Sequence, residues 1–240
     1  MKLVGLIFAL IAYSTALNLP DEFERCKSDD SKCILNAIQD ALQKVKNGYP
    51  SLDLPSLDPL HITEMTVHAG KVIQLVQNYE DIDIYGLSNC KLSGLTLQLR
   101  DKGKLELIGL CPHIDINSTY AVNGKILMLD VNGRGKSLIR LENLTGKLKI
   151  DLEMFTKDNE EYVRGTRGMF DINPENCFFK FDNILDGNQQ IGDNINQVLN
   201  DNWRAIVDEL RLEYGESIGT TIVNIVNKIF EEIPLKYIFL

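Results

Sequence analysis

Residues 191–233 read IGDNINQVLNDNWRAIVDELRLEYGESIGTTIVNIVNKIFEEI, and the reading of this stretch decides the fold. Ile191, Ile195, Val198, Leu199, Ile206, Val207, Leu210, Tyr214, Ile218, Ile222, Ile225, Val226, Ile229 and Ile233 recur at three- and four-residue intervals, so they share one helix face. A straight helix from Asp193 to Glu232 would be about 60 Å long at 1.5 Å per residue. A compact sphere of this chain length is only about 45 Å across. The helix is therefore expected to break near Gly215 and Gly219, or the molecule to be elongated. Either way, a long apolar stripe needs an apolar partner to cover it.

The partner lies upstream. From His61 to about Phe181 the hydrophobic period is two. Leu95, Leu97 and Leu99 alternate with Thr96, Gln98 and Arg100, and Leu148, Ile150 and Leu152 alternate with Lys149, Asp151 and Glu153. Ile114 and Ile116 alternate with Asp115 and Asn117. Asp101-Lys102-Gly103, Asn123-Gly124, Asn132-Gly133 and Thr145-Gly146 read as turns between runs. This describes an antiparallel meander with one apolar face. Ahead of it, Ile34, Leu35, Ile38, Ala41, Leu42 and Val45 make a short helix, capped by Asp29-Asp30-Ser31 and ended by Gly48 and Pro50. The proline-punctuated segment 50–60 must be extended. The fold class is α+β: a short helix, a large sheet, then a long helix laid along the concave face of a curled sheet. Nothing in the composition divides residues 17–240, which read as one domain.

Residues 1–16 have the form of a cleaved secretory signal: Lys2, an apolar run from Leu3 to Ala12, then small residues Ser14 and Ala16. The run falls short of the ~20 residues a bilayer span requires. Removing the signal leaves 24 basic and 34 acidic side chains, a net charge of −10. That balance argues against nucleic acid and against anionic membranes as partners. In a secreted, monomeric protein Cys26 and Cys33 are close enough in sequence to be bridged, with two free thiols as the alternative. Among Cys90, Cys111 and Cys177, the first two flank an expected hairpin and either pair or stay buried as thiols; the odd total leaves at least one unpaired. Asn117-Ser118-Thr119 and Asn143-Leu144-Thr145 are candidate glycosylation sequons.

Signs of chemistry are superficial. Gly215-Glu216-Ser217-Ile218-Gly219 matches a nucleophile elbow, but it lies within a helical stripe, and His61, His68 and His113 all precede Ser217. Gly133-Arg134-Gly135-Lys136-Ser137 resembles the end of a phosphate-binding loop, yet Asp130 stands where its first glycine belongs and a strand pattern follows. His61 and His68 are expected on opposite strand faces, and no cysteine pair has zinc-site spacing. No enzyme activity, metal or cofactor is expected.

The order of several short motifs resembles the insect takeout and juvenile-hormone-binding protein family. They are Cys26-x6-Cys33, Leu57-Asp58-Pro59-Leu60-His61-Ile62, Gly86-Leu87-Ser88, Tyr120-x3-Gly124 with Ile126-Leu127-Met128-Leu129, Gly133-x-Gly135, Leu199-Asn200-Asp201-Asn202-Trp203-Arg204 and Ile233-Pro234-Leu235. The resemblance implies a strongly curved sheet around a long C-terminal helix, an internal hydrophobic tunnel, and a Cys26–Cys33 disulfide. It also implies non-covalent carriage of an apolar small molecule, such as a juvenile-hormone-like terpenoid, a fatty-acid derivative or another lipid. Juvenile-hormone carriers typically have a second disulfide, so a cysteine set without an evident second pair favours the takeout branch. Tyr120 and Trp203 are candidates for the ligand lining, with ordinary core packing as the alternative. The competing functional expectation is a secreted signalling or interaction protein, acting in circadian, feeding or chemosensory regulation without obligatory ligand transport.

Overall fold

The computed structural model describes residues 18–68, 73–100, 102–126, 129–185 and 187–240; the expected signal, residues 1–16, lies outside them. Helix α1 spans Ser31–Lys44, and the Asp30 side chain caps it by accepting from the Cys33 N–H at 3.0 Å. Seven strands follow: β1 Leu60–Val67, β2 Ile73–Tyr85, β3 Lys91–Gln98, β4 Gly103–Ile126, β5 Leu129–Lys157, β6 Glu160–Asn173 and β7 Asn176–Phe181. The chain ends in α2 Gln189–Asp201, α3 Trp203–Phe230 and the short α4 Leu235–Ile238.

All seven strands join one antiparallel sheet whose spine is the pair β4–β5, 24 and 29 residues long. Those two stay in register from Gly103↔Leu152 to Ile126↔Leu129. On the free edge of β4, β3 lies beside the first half and β2 beside the second, with β1 outside β2. On the free edge of β5, β7 covers Ser137–Glu142 and β6 covers Thr145–Lys157. Bulges between Glu80 and Asp83, Leu92 and Gly94, and Asp151 and Leu152 bend these long strands. β1 and β6 end the main strand path, and both touch α3, so the sheet curls around the helix. No helix among the described residues is long and apolar enough to cross a membrane.

The stripe breaks at Asn202, between α2 and α3, rather than at Gly215 and Gly219. Those two glycines lie inside α3 for a packing reason. A Cβ on Gly215 would come within 2.5 Å of the Phe170 carbonyl oxygen, so α3 rests directly on the β6 backbone. Several expected turns also moved. Asn123-Gly124 and Asn132-Gly133 lie inside β4 and β5, and Thr145-Gly146 lies mid-strand in β5. At Gly133 and Gly146 glycine admits a neighbour instead of turning the chain: a Cβ on Gly133 would be 2.3 Å from the Asn183 carbonyl oxygen, and one on Gly146 2.6 Å from the Phe170 ring. The β5–β6 turn is Asp158-Asn159, with φ of 52° and 64°, the handedness that suits a two-residue hairpin.

Three asparagines fasten the C-terminal helices to exposed strand backbone. On α2, Asn196 accepts from Phe181 N–H at 2.8 Å and donates to Phe181 C=O at 2.9 Å. One helical turn later, Asn200 does the same to Phe179, at 2.7 and 2.9 Å. On α3, Asn227 treats Gly165 alike, at 2.8 and 2.9 Å. Each amide reproduces the two hydrogen bonds a neighbouring strand would supply, which protects the sheet edges.

Two disulfides are present. Cys26–Cys33 closes the N-terminal loop, and the same segment holds the C-terminus: Leu240 N–H donates to Cys26 C=O at 2.9 Å, and Arg25 Nη2 donates to Phe239 C=O at 2.5 Å. Cys90–Cys111 ties the chain ahead of β3 to β4, and Cys177 is a buried free thiol. Nearby, Asp58 gathers two of the motifs noted above. Its carboxylate accepts from Gly86 N–H at 2.9 Å and from the Ser88 hydroxyl at 2.5 Å.

Candidate functional site

Alternation along β2 turns Gln77 and Tyr79 inward while Asn78 and Glu80 face solvent. Tyr214 reaches the same place from α3. The Tyr79 hydroxyl donates to Gln77 Oε1 at 2.7 Å and lies 2.9 Å from the Tyr214 hydroxyl, which itself lies 3.2 Å from Gln77 Oε1. The three side chains form a closed polar triangle inside an otherwise apolar core. Burial pushes both phenols above their ordinary value, so they remain neutral hydrogen-bonding groups.

The triangle stands where two pockets adjoin, because Tyr79 and Tyr214 line both. One encloses about 370 Å³ of non-atom space, part of it open to solvent, among residues including Ile62, Met65, Ile82, Ile116 and Ile218. The other encloses about 410 Å³, also partly open, among Val122, Phe179, Phe181, Leu199, Ile206 and Leu210, with Gln77 also on its lining. Both are slender, with room for about one or two water-sized spheres each. Among the described residues no ionised side chain lines either pocket, and Ser118, hydrogen-bonded to Ser137 at 2.7 Å, is the one further polar group on the lining. The arrangement can solvate one or two neutral polar atoms in an apolar slot.

The residues singled out in the sequence are scattered. Tyr120 is 4% exposed, donates to Asp182 C=O at 2.8 Å and packs edge-on against Phe181; it lines neither pocket. Trp203 is half-buried against the main core beneath the Arg204 guanidinium, 4.2 Å from its ring, and it too is absent from both linings. Asn117 is exposed in β4; Asn143 is exposed in β5 with a left-handed φ of 47°, and its amide donates to Glu175 at 2.8 Å. Ser217 lies mid-helix in α3, away from any strand-to-helix turn. The phosphate-loop look-alike is a packing site, since a Cβ on Gly135 would meet the Asp182 carbonyl oxygen at 2.2 Å. His61, in β1, and His68, one residue beyond its end, are both exposed, and His61 pairs with Asp83. Among the described residues, Glu24, Cys26 and Cys33 cluster with metal-ligand chemistry, but both sulfurs are committed to a disulfide.

Gln77, Tyr79 and Tyr214 belong to no sequence motif that marks them as site residues. The available signal was polarity out of place: Gln77 sits in phase with the buried face of β2, and Tyr214 carries a hydroxyl within the apolar helix stripe.

A sheet curled around a helix, with a slender uncharged space between them, defines a helix-filled antiparallel half-barrel with an internal apolar site. The chain belongs to the family described as haemolymph juvenile hormone binding protein, which it matches over residues 4–240. It is 26% identical to the circadian clock-controlled protein daywake of Drosophila melanogaster over 92% of this chain and 88% of that protein. It is 34% identical to the juvenile hormone-binding protein of Manduca sexta over 52% of this chain and 51% of that one. Among solved structures, Takeout 1 of Epiphyas postvittana shares the fold with a TM-score of 0.79 and 22% identity, over 90% of this chain and 99% of that one. The Cys90–Cys111 bridge removes the argument that favoured the takeout branch by cysteine count.

Proposed function

We propose that this protein is a secreted, non-catalytic carrier of one small hydrophobic molecule, held between the curled sheet and α3. Residues 1–16 act as its cleaved signal and residues 17–240 as its carrier domain. The observation that carries this reading is the pair of adjoining apolar pockets, free of ionised groups among the described residues, that meet at one small polar triangle. Covering about 300 Å² of apolar ligand surface is worth about 7.5 kcal/mol at 25 cal/mol/Å². After association costs that supports affinity near micromolar, and tighter with a hydrogen bond. The slots are narrower than such a ligand, so flexible lining side chains such as Met65 swing aside on binding.

Protein from insect cells should co-purify with an extractable lipid, identified by mass spectrometry, and should take up a fluorescent hydrophobic probe. An empty protein that takes up no probe refutes carriage.

The slenderness of the pockets favours one other reading: a secreted signalling or interaction protein in circadian, feeding or chemosensory regulation, its core filled by its own side chains. Wild-type biological activity of a variant whose slot is plugged, such as Ile218→Trp, would support that reading over carriage.

A further inference from the structure

Gln77 is only 6% exposed, yet its buried Nε2 has no hydrogen-bond partner. Both hydroxyls of the triangle are already engaged, with Gln77 Oε1 or with each other. The amide N–H groups are therefore the donors left over, at a point where burial makes an unmet donor costly. Gln77 lines one pocket, and the two tyrosines that hold it line both. The donor thus belongs to one pocket and is held by the two tyrosines that adjoin the other, with apolar space of similar size in each.

We infer that Gln77, oriented by Tyr79 and Tyr214, is the polar anchor for an uncharged, long-chain ester or ketone whose oxygen lies in mid-chain. The inference rests on the carrier reading above and specifies its ligand class. An ester or ketone carbonyl accepts from Gln77 Nε2 while its two alkyl arms run into the two pockets. A hydrocarbon leaves the donor unmet. A fatty acid carries its oxygens at one end and, ionised, brings a charge into linings whose described residues hold no cation. Slender slots suit unbranched arms better than fused rings. An inverted amide would leave a carbonyl unmatched instead and would select a mid-chain alcohol.

The test is displacement of N-phenyl-1-naphthylamine from the delipidated, full-length secreted protein. The competitors are octyl decanoate, the mid-chain ketone and mid-chain alcohol of heptadecane, heptadecane itself, and palmitate at alkaline pH. Octyl decanoate and the ketone should compete about tenfold better than heptadecane and palmitate. In Gln77→Leu that ratio should fall to about one, and Gln77→Met gives the same reading if the leucine variant fails to fold. An ester no better than the hydrocarbon, a preference that survives both substitutions, or a stronger alcohol or palmitate overturns the anchor while leaving carriage intact. Binding of neither probe nor competitor overturns carriage and the anchor together.

Discussion

Gly168 on β6 and Gly219 on α3 meet backbone to backbone: a Cβ placed on Gly219 would lie 2.4 Å from the Gly168 carbonyl carbon. No side chain fits there unless the helix lifts off the sheet. Gly219→Ala should therefore destabilise the protein by about 3 kcal/mol, as overpacking does in a close contact. Gly192 in α2 is the control, because its added methyl would meet only Ile184 Cγ2, at an ordinary 3.6 Å. Gly192→Ala should stabilise by about 0.5–1 kcal/mol through helix propensity. Urea denaturation of the two variants checks both signs.

Asn200 and Asn196 substitute for a missing strand along β7. Asn200→Leu keeps side-chain volume but abandons the Phe179 N–H and C=O, at a cost of about 2 kcal/mol. Hydrogen exchange should localise the loss, with the Phe179 amide exchanging much faster and β4 unaffected. Protection of Phe179 unchanged in the variant would show that the amide contact is dispensable.

Burial alone would raise the Asp58 carboxyl, but hydrogen bonds from Ser88 and Gly86 outweigh it and hold the group below its usual value. Its contribution to stability is then fully present above the unfolded carboxylate pKa of about 3.9 and is lost as pH falls through the lower folded value. Asp58→Asn should cost about 2 kcal/mol near neutrality. The gap from wild type should narrow as pH falls from about 3.9 through the lower folded value, where the wild-type carboxyl is neutral as well. Unfolding midpoints across that range test this, and a gap independent of pH would contradict it.

The Cys90–Cys111 bridge spans 21 residues, for which the chain-entropy model gives about 3 kcal/mol. Thermal unfolding of the double alanine variant should show a loss of that size.

Cys177 should behave differently from the bridged cysteines. Burial pushes its thiol up to about 12, so it should resist alkylation in the native state even near pH 10, where an ordinary thiol is ionised. Denaturation without reductant should release one reactive thiol. The raised value means that Cys177 supports folding fully below the ordinary thiol pKa of about 8.5, and that this support drains away as pH climbs towards the folded value.

Much of the architecture was legible because it follows from local period. Hydrophobic spacing of two through the middle of the chain and of three to four after Ile191 is dictated by the pleat and by the helical turn, and each follows from covalent geometry. The misplaced features share a cause. Gly146, Gly215 and Gly219 were read as turns or breaks because glycine permits them, whereas here glycine makes room for Phe170 and Gly168. A sequence shows that a residue lacks a Cβ, but not what occupies the vacated space.

The candidate site was less legible than the fold for a related reason. Gln77 and Tyr79 lie 135 or more positions from Tyr214 and meet it only because the sheet curls around α3. Asp58 with Ser88, and Asn200 with Phe179, are likewise contacts of closure. The amino-acid sequence alone set the element types, their order and the acidic, cysteine-bearing character of the chain, since these depend on neighbours a few residues apart. Tertiary structure alone decided where the helix bends, that Cys90 pairs with Cys111, and which polar atoms face the slot. Those outcomes depend on the register of long strands and the depth at which a helix seats, and neither is set by any local stretch of residues.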